Sequence, residues 1–362
     1  MSVVDSHNKV RIVGSGLIGT SIALALSSHG VHVTMIDSDT RRASLAQDLV
    51  GRVDGNFGES ADLVIFALPS SRLQGVISSE FKLNPQATFI DVGSIKANPL
   101  VEIEKISGMA ERFCGTHPMA GREIGGPEAA RADLFSGRPW IYTPTSHTAL
   151  DVIDTVLALI DLLGGTSIKM SAQEHDSAVA LISHLPQISA SLLAKQLGDA
   201  PENWLALAGQ GLRDSTRIAA SDPDLWREIV GMNQAQILPL LVTLNADLER
   251  LIAQIGDEEA VATMLLQGQE GRARIPGKHG GTARDYSYLP IVIEDKPGQL
   301  SRLFQECEQA NVNIEDLSIE HSPGQFTGLI TLALSKNDAD RLAAHLESHG
   351  WNVHLPKSAS VS

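Results

Sequence analysis

One six-residue string restricts this chain more than any other: Gly14-Ser-Gly16-Leu-Ile-Gly19, set between an apolar run at 10–13 and a helical stretch at 17–28. Each glycine of a G-x-G-x-x-G spacing has its own physical use. Gly14 permits a tight turn, Gly16 lets a pyrophosphate approach the backbone, and Gly19 lets the helix pack on the strand. Leu17 and Ile18 then open a helix whose free N–H groups and positive dipole end suit phosphates. Asp37 ends a second apolar run, 31–36, about 20 residues on. A carboxylate there bonds a ribose 2′-hydroxyl and repels a 2′-phosphate, which favours NAD over NADP, although Arg41 and Arg42 nearby are able to hold a phosphate. Further β-rich runs at 63–68, 88–92 and 140–142 alternate with helical spacing, as at 149–163. Such alternation predicts an α/β fold with a parallel sheet of the doubly wound, Rossmann type.

The pattern changes near residue 170. From 171 to about 267 only helical periodicity is found. Ser171-Ala-Gln-Glu174 reads as a capping box, Asp222-Pro223 as a capped start, and 231–255 as one long helix kinked at Pro239. Helices this rich in Leu, Ile and Ala need a partner surface, so a homodimer is expected. Residues 268–285, with five glycines, Pro276, Arg272, Arg274, Lys278 and His279, read as a linker. Beyond it the order is βαββα with a last strand at 351–355, a small α+β module. The expected domains are therefore 1–170, 171–267 and 286–362.

The formal net charge is −15, from 28 Lys+Arg against 43 Asp+Glu. That argues against nucleic acid or a membrane surface as partner, both being polyanionic. Two cysteines, Cys114 and Cys307, give no disulfide framework and suit a cytoplasmic setting. The polar start through Lys9 has no signal-peptide core, and no run of about 18 apolar residues marks a membrane span.

Four clusters are placed where a substrate belongs. Asp91-Val-Gly-Ser94-Ile-Lys96 follows a strand, so Ser94 and Lys96 are expected at the carboxyl edge of the sheet. His117, in Gly115-Thr-His117-Pro-Met-Ala-Gly121-Arg-Glu123, is a candidate general base that Ser94 would orient. Cys114 and His117 form a C-x-x-H, but without a second pair no metal site is expected. In Ser183-His184-Leu-Pro186-Gln187 the proline forces the helix to kink or remake its turn. Arg213 and Arg217 flank an acid in Arg213-Asp214-Ser-Thr216-Arg217, and Arg presents a planar fork to carboxylates. An interhelical salt bridge is the alternative use of that acid.

Together these motifs, with Ile-Ala-Ala-Ser221-Asp-Pro-Asp-Leu-Trp226 after Arg217, resemble the prephenate/arogenate dehydrogenase family of tyrosine biosynthesis over roughly residues 10–265. The tail, Glu294-Asp295-Lys-Pro297-Gly298-Gln-Leu300 and Asn313-Ile-Glu-Asp316-Leu, resembles the opening of an ACT domain. The resemblance implies that NAD takes the C4 hydride of prephenate, His117 accepts the hydroxyl proton and the C1 carboxylate leaves as carbon dioxide. It implies that Arg217 clamps a substrate carboxylate while Arg213, Glu123, His184, Gln187 and Trp226 shape the pocket. Gln187 stands where many prephenate-preferring members have a second histidine; it can hydrogen-bond the keto acid but cannot ion-pair with an amino group. Prephenate is therefore expected, with arogenate as the alternative. Asp295, Pro297, Gly298, Asn313 and Asp316 would form a site for a tyrosine effector.

Two other readings are weaker. A β-hydroxyacid or 6-phosphogluconate dehydrogenase would need a catalytic lysine near the kink, where the first is Lys195. A non-catalytic sensor would not need the set Ser94, His117 and Arg217.

Overall fold

The computed structural model describes residues 9–51, 60–121, 125–275, 286–320, 326–355 and 357–358. By internal contacts the chain divides into two units, 1–247 and 248–362.

In the first unit, β1 (Lys9–Val13), α1 (Leu17–Ser28), β2 (His32–Ile36), α2 (Thr40–Val50), β3 (Leu63–Phe66), α3 (Ser70–Leu83), β4 (Thr88–Asp91), α4 (Ala97–Glu104), α5 (Met109–Arg112) and β5 (Phe113–Pro118) alternate as expected. β6 (Pro139–Thr143), α6 (Leu150–Leu162) and β7 (Thr166–Lys169) complete a seven-stranded sheet of order β2-β1-β3-β4-β5-β6-β7. The first five are parallel, and β6 runs antiparallel to β5. The parallel expectation thus holds up to β5 and reverses there. The strand order reverses between β1 and β3, the place where open α/β sheets form a ligand crevice.

Both faces of the sheet are covered. Leu63 and Ile65 of β3 join one core with Val10, Ile22 and Val156; Val64 and Phe66 join another with Leu73, Ile77 and Phe89. Neighbouring residues of one strand thus serve opposite faces, so these strands read as continuous apolar runs.

The helices that follow are α7 (Ala172–Val179), a π-helical turn (Ala180–His184), α8 (Leu185–Lys195), α9 (Glu202–Leu205), α10 (Gln210–Thr216), a 3₁₀ turn (Arg217–Ala220), α11 (Pro223–Met232) and α12 (Gln234–Ala253). Ser171 caps α7 by accepting the Glu174 N–H at 3.1 Å, and Asp222 caps α11. Pro186, which lacks an N–H, sits in the first turn of α8 directly after the π turn, so the expected remaking of the helix is a wide turn. The single helix expected at 231–255 is instead two, parted at Asn233, with Pro239 inside the second. Asn233 is drawn inward by side-chain bonds described below.

Residues 172–195 form one helical run long and apolar enough to span a membrane by length and composition. Its buried His175, Asp176 and His184 are hydrogen-bonded within the chain, as expected of a helix packed in protein. Leu181, Ile182, Leu192 and Leu193 nevertheless stay exposed.

In the second unit α13 runs Glu258–Ala273, so the linker expected from Gly268 is helical at its start; residues 276–285, with Pro276, Lys278 and His279, lie outside the described residues. β8 (Ser287–Glu294), α14 (Gln299–Gln309), β9 (Asp316–Glu320), β10 (Thr327–Leu334), α15 (Lys336–Ser348), β11 (Asn352–Val353) and β12 (Lys357–Ser358) give the expected βαββα(β) order. The antiparallel sheet, β11-β8-β10-β9 with β12 beside β8, packs Leu289, Ile291, Ile330 and Leu332 against Leu303, Leu342 and Leu346.

Candidate active site

The glycine string forms the β1–α1 turn. Gly14 has φ +112°, and a Cβ there would lie 2.1 Å from the Ala67 carbonyl oxygen. A Cβ on Gly19 would lie 2.1 Å from the Gly14 oxygen, so both positions require glycine for packing. Gly16 differs: a Cβ would meet nothing within 4 Å. Its bareness serves the space in front of the turn rather than the protein. Gly16 also begins α1 without a side-chain cap, leaving helix N–H groups at Leu17 and Ile18 for another acceptor. Asp37 adjoins the turn, its carboxylate accepting the Ser15 N–H at 2.8 Å and the Asp39 N–H at 2.9 Å. Each oxygen keeps a lone pair for a ribose hydroxyl. These residues fit a dinucleotide.

β1, β3, β4 and β5 are parallel, so the glycine turn, the loop after Asp91 and the end of β5 share one sheet edge. His117 lies in β5, half-buried. Ser94 is half-buried in the β4–α4 loop but makes no hydrogen bond to His117. Lys96 does not face a ligand: it is buried, ion-paired with Asp91 and donating to the Thr116 carbonyl at 2.7 Å. It staples β4 to β5 from inside.

What touches His117 is a residue the motifs did not single out. His117 Nδ1 lies 2.8 Å from His175 Nε2, and His175 Nδ1 lies 2.8 Å from Asp176 Oδ1. The Asp176 carboxylate also accepts the N–H groups of Lys96 and Ala97, each at 2.9 Å, capping α4 from another helix. Asn233 Nδ2 donates to the Asp176 carbonyl at 2.8 Å and lies 3.1 Å from His184 Nδ1. The edge of one ring meets the face of the other where His184 and Trp226 adjoin, centroids 5.8 Å apart. Asp176 is thus a hub from which two histidines are held.

Burial pushes the His117 pKa well below the ordinary 6.5, and nearby His175, Lys96 and His184 push the same way. Burial also lowers His184, to about 4, against the pull of Asp176. Both rings are neutral near pH 7. Burial raises the Cys114 thiol to about 12, so it stays protonated at neutral pH.

Of the other expected residues, Gln187 is buried: its Nε2 donates to the Ile218 carbonyl at 2.9 Å, and its Oε1 accepts from Ser221 Oγ at 3.4 Å. It ties α8 to the 3₁₀ turn that Arg217 opens. Arg213 and Arg217 are exposed. Glu123 lies outside the described residues. In the second unit Gly298, φ +88°, precedes α14, while Asp295, Pro297, Asn313 and Asp316 are exposed. Asn313 bonds Glu315, and Asp316 accepts the Leu317 N–H.

Residues 22–169 match the family model described as prephenate dehydrogenase, nucleotide-binding domain, and 171–266 match its dimerization domain. The chain belongs to the prephenate dehydrogenase family. It is an NAD-dependent oxidoreductase of that family. A probable prephenate dehydrogenase from Streptomyces niveus is 28% identical over 94% of this chain and 98% of its own. The Aquifex aeolicus prephenate dehydrogenase, solved with hydroxyphenyl propionate and NAD+, is 29% identical with TM-score 0.65 over 73% of this chain and 97% of its own. Synechocystis arogenate dehydrogenase is 28% identical with TM-score 0.60 over 73% and 98%.

His175, Asp176 and Asn233 are the site residues that motif reading missed. The signal for the first two was faint, because His175 and Asp176 sit among other polar residues, Gln173-Glu-His-Asp-Ser177, in the first turns of a capped helix.

Proposed function

We propose that this enzyme carries out the oxidative decarboxylation of prephenate to 4-hydroxyphenylpyruvate, with His117 as general base. The observation that carries the proposal is a neutral histidine at the sheet edge that bears the glycine turn. The C4 hydroxyl proton passes to His117, and the C1–carboxylate bond breaks with its electron pair entering the ring. NAD, when bound, supplies the acceptor for the C4 hydride. The proton returns to the phenolate oxygen, so the base is regenerated, and aromatisation drives the step. Ser94 lies in a neighbouring loop on the same edge, where its hydroxyl suits the reacting oxygen. Asn233 donates to His184 Nδ1, which leaves His184 Nε2–H as a neutral donor for the substrate.

Arg217, with Arg213 beside it, supplies the positive charge that an anionic substrate needs on a chain of charge −15. Gln187 acts by holding the Arg217 turn; its amide is spent on Ile218 and Ser221 rather than on a keto acid. With no acidic side chain at position 187, no ion pair is offered there to the amino group of arogenate, which favours prephenate. The likeness to an arogenate dehydrogenase keeps arogenate as the second reading. The exposed leucines and isoleucines of the helical region support a homodimer, and the two free cysteines, Cys114 and Cys307, support a reducing, cytoplasmic setting. The βαββα(β) unit is read as an ACT-like module for tyrosine. His117→Asn tests the central role: kcat for prephenate should fall by ~10²–10⁴, the usual range for a general base, with NAD affinity unchanged. A near-normal kcat would remove His117 from the chemistry.

A further inference from the structure

His117 needs more than neutrality to act as a base: its proton must sit on the nitrogen away from the substrate. Neutral imidazole carries one proton on either nitrogen, and the partner of the other nitrogen selects which. The chain of contacts from Asp176 makes that selection. The Asp176 carboxylate only accepts, and its oxygens already receive the Lys96 and Ala97 N–H groups. Facing it at 2.8 Å, His175 Nδ1 must carry the proton. With the His175 ring neutral, its Nε2 is then an acceptor, and the atom 2.8 Å away, His117 Nδ1, donates to it. That leaves the lone pair of His117 on Nε2.

We propose that His175 and Asp176 are positioning residues for this reaction, a buried relay that fixes His117 as the Nδ1–H tautomer and steadies the imidazolium formed in turnover. This rests on His117 being the base and assigns the groups that make it one. The fit of the parts supports a purpose beyond packing. His175 is fully buried, yet both ring nitrogens are spent on titratable partners rather than on backbone. Asp176 is locked by backbone donors on Lys96 and Ala97, so its carboxylate cannot swing away. When His117 Nε2 takes the substrate proton, the positive charge spreads through Nδ1–H toward His175, whose far side faces the Asp176 carboxylate. No atom is gained or lost, and the proton leaves by the same nitrogen when the phenolate is reprotonated. The groups facing the pair include His184 and Lys96; Lys96 is neutralised by Asp91, so Asp176 remains the anion available to the relay.

The test separates this relay from the base itself. His175→Leu removes the acceptor, and His175→Gln restores a carbonyl oxygen for His117 Nδ1–H. In the full chain, His175→Leu should lower kcat for prephenate by ~10²-fold or more with KM for prephenate and NAD changed less than ~3-fold. His175→Gln should recover at least ~10-fold of the loss, which a merely structural role would not allow. ¹⁵N NMR of histidine-labelled wild-type enzyme should show His117 with protonated Nδ1 and bare Nε2, and this reading stands even where a variant fails to fold. An Nε2–H tautomer in the wild type, or kcat within ~3-fold in folded His175→Leu, would overturn the relay. If His117→Asn is inactive while His175→Leu is normal, only the relay falls; if both are normal, the base assignment falls with it.

Discussion

At the scale of single residues, activity turns on where protons sit. A histidine in water titrates near 6.5; here burial and cationic or protonatable neighbours hold the His117 pKa well below that. A depressed pKa means the ring stays unprotonated as pH falls through the ordinary histidine range. The acid limb of kcat should therefore lie below pH 6.5, and a limb at or above it would contradict a buried base. Asp37 works by a different force. Its carboxylate organises the glycine turn through the Ser15 N–H, and a carboxylate at that place would repel a 2′-phosphate. Asp37→Ser should raise KM for NAD and shift the preference toward NADP, because Arg41 and Arg42 lose an opposing charge. Competing titrations with the two cofactors would measure it, and an unchanged ratio would mean that Asp37 serves only the turn.

At the scale of elements, the site is built by contacts between segments distant in sequence, and that limits what motifs reveal. The glycine turn was legible because its three constraints fall within six consecutive residues. β5 was not legible: Phe113-Cys-Gly-Thr-His-Pro holds a glycine, a histidine and a proline, and becomes a strand because β4 and β6 flank it. β7, Thr166-Ser-Ile-Lys, is short and exposed and has no apolar signature. Gly268 and Gly271 suggested a linker, but the Asp257 cap and the residues before them carry α13 through both. His175 and Asp176 were hidden for another reason. Their partners, His117, Lys96 and Ala97, lie 58 to 80 residues away and meet them only in the fold. The motif at Arg217 was visible, but not that Gln187 holds its turn. If Arg217 clamps a substrate carboxylate, Arg217→Ala removes a charged partner worth ~2–5 kcal/mol. KM for prephenate should then rise at least ~30-fold. An unchanged KM in a folded variant would make Arg217 structural.

At the scale of the whole molecule, the family match runs from residue 22 to residue 266, about two thirds of the chain, and ends within α13. The remaining βαββα(β) unit has its own core and needs a separate purpose. Gly298, with a left-handed φ and no side-chain cap, leaves backbone N–H groups at the start of α14 for a ligand carboxylate. Inhibition by tyrosine should therefore be present in the full chain and lost in a chain ending at Ile275; equal inhibition of both would mean competition at the catalytic site. The most direct measurement for the whole account is steady-state turnover of the full chain with prephenate and with arogenate, each with NAD and with NADP. The expected result is NADH formation with prephenate, one carbon dioxide released per NADH and 4-hydroxyphenylpyruvate as product. Turnover confined to arogenate, or none with either substrate, would contradict it.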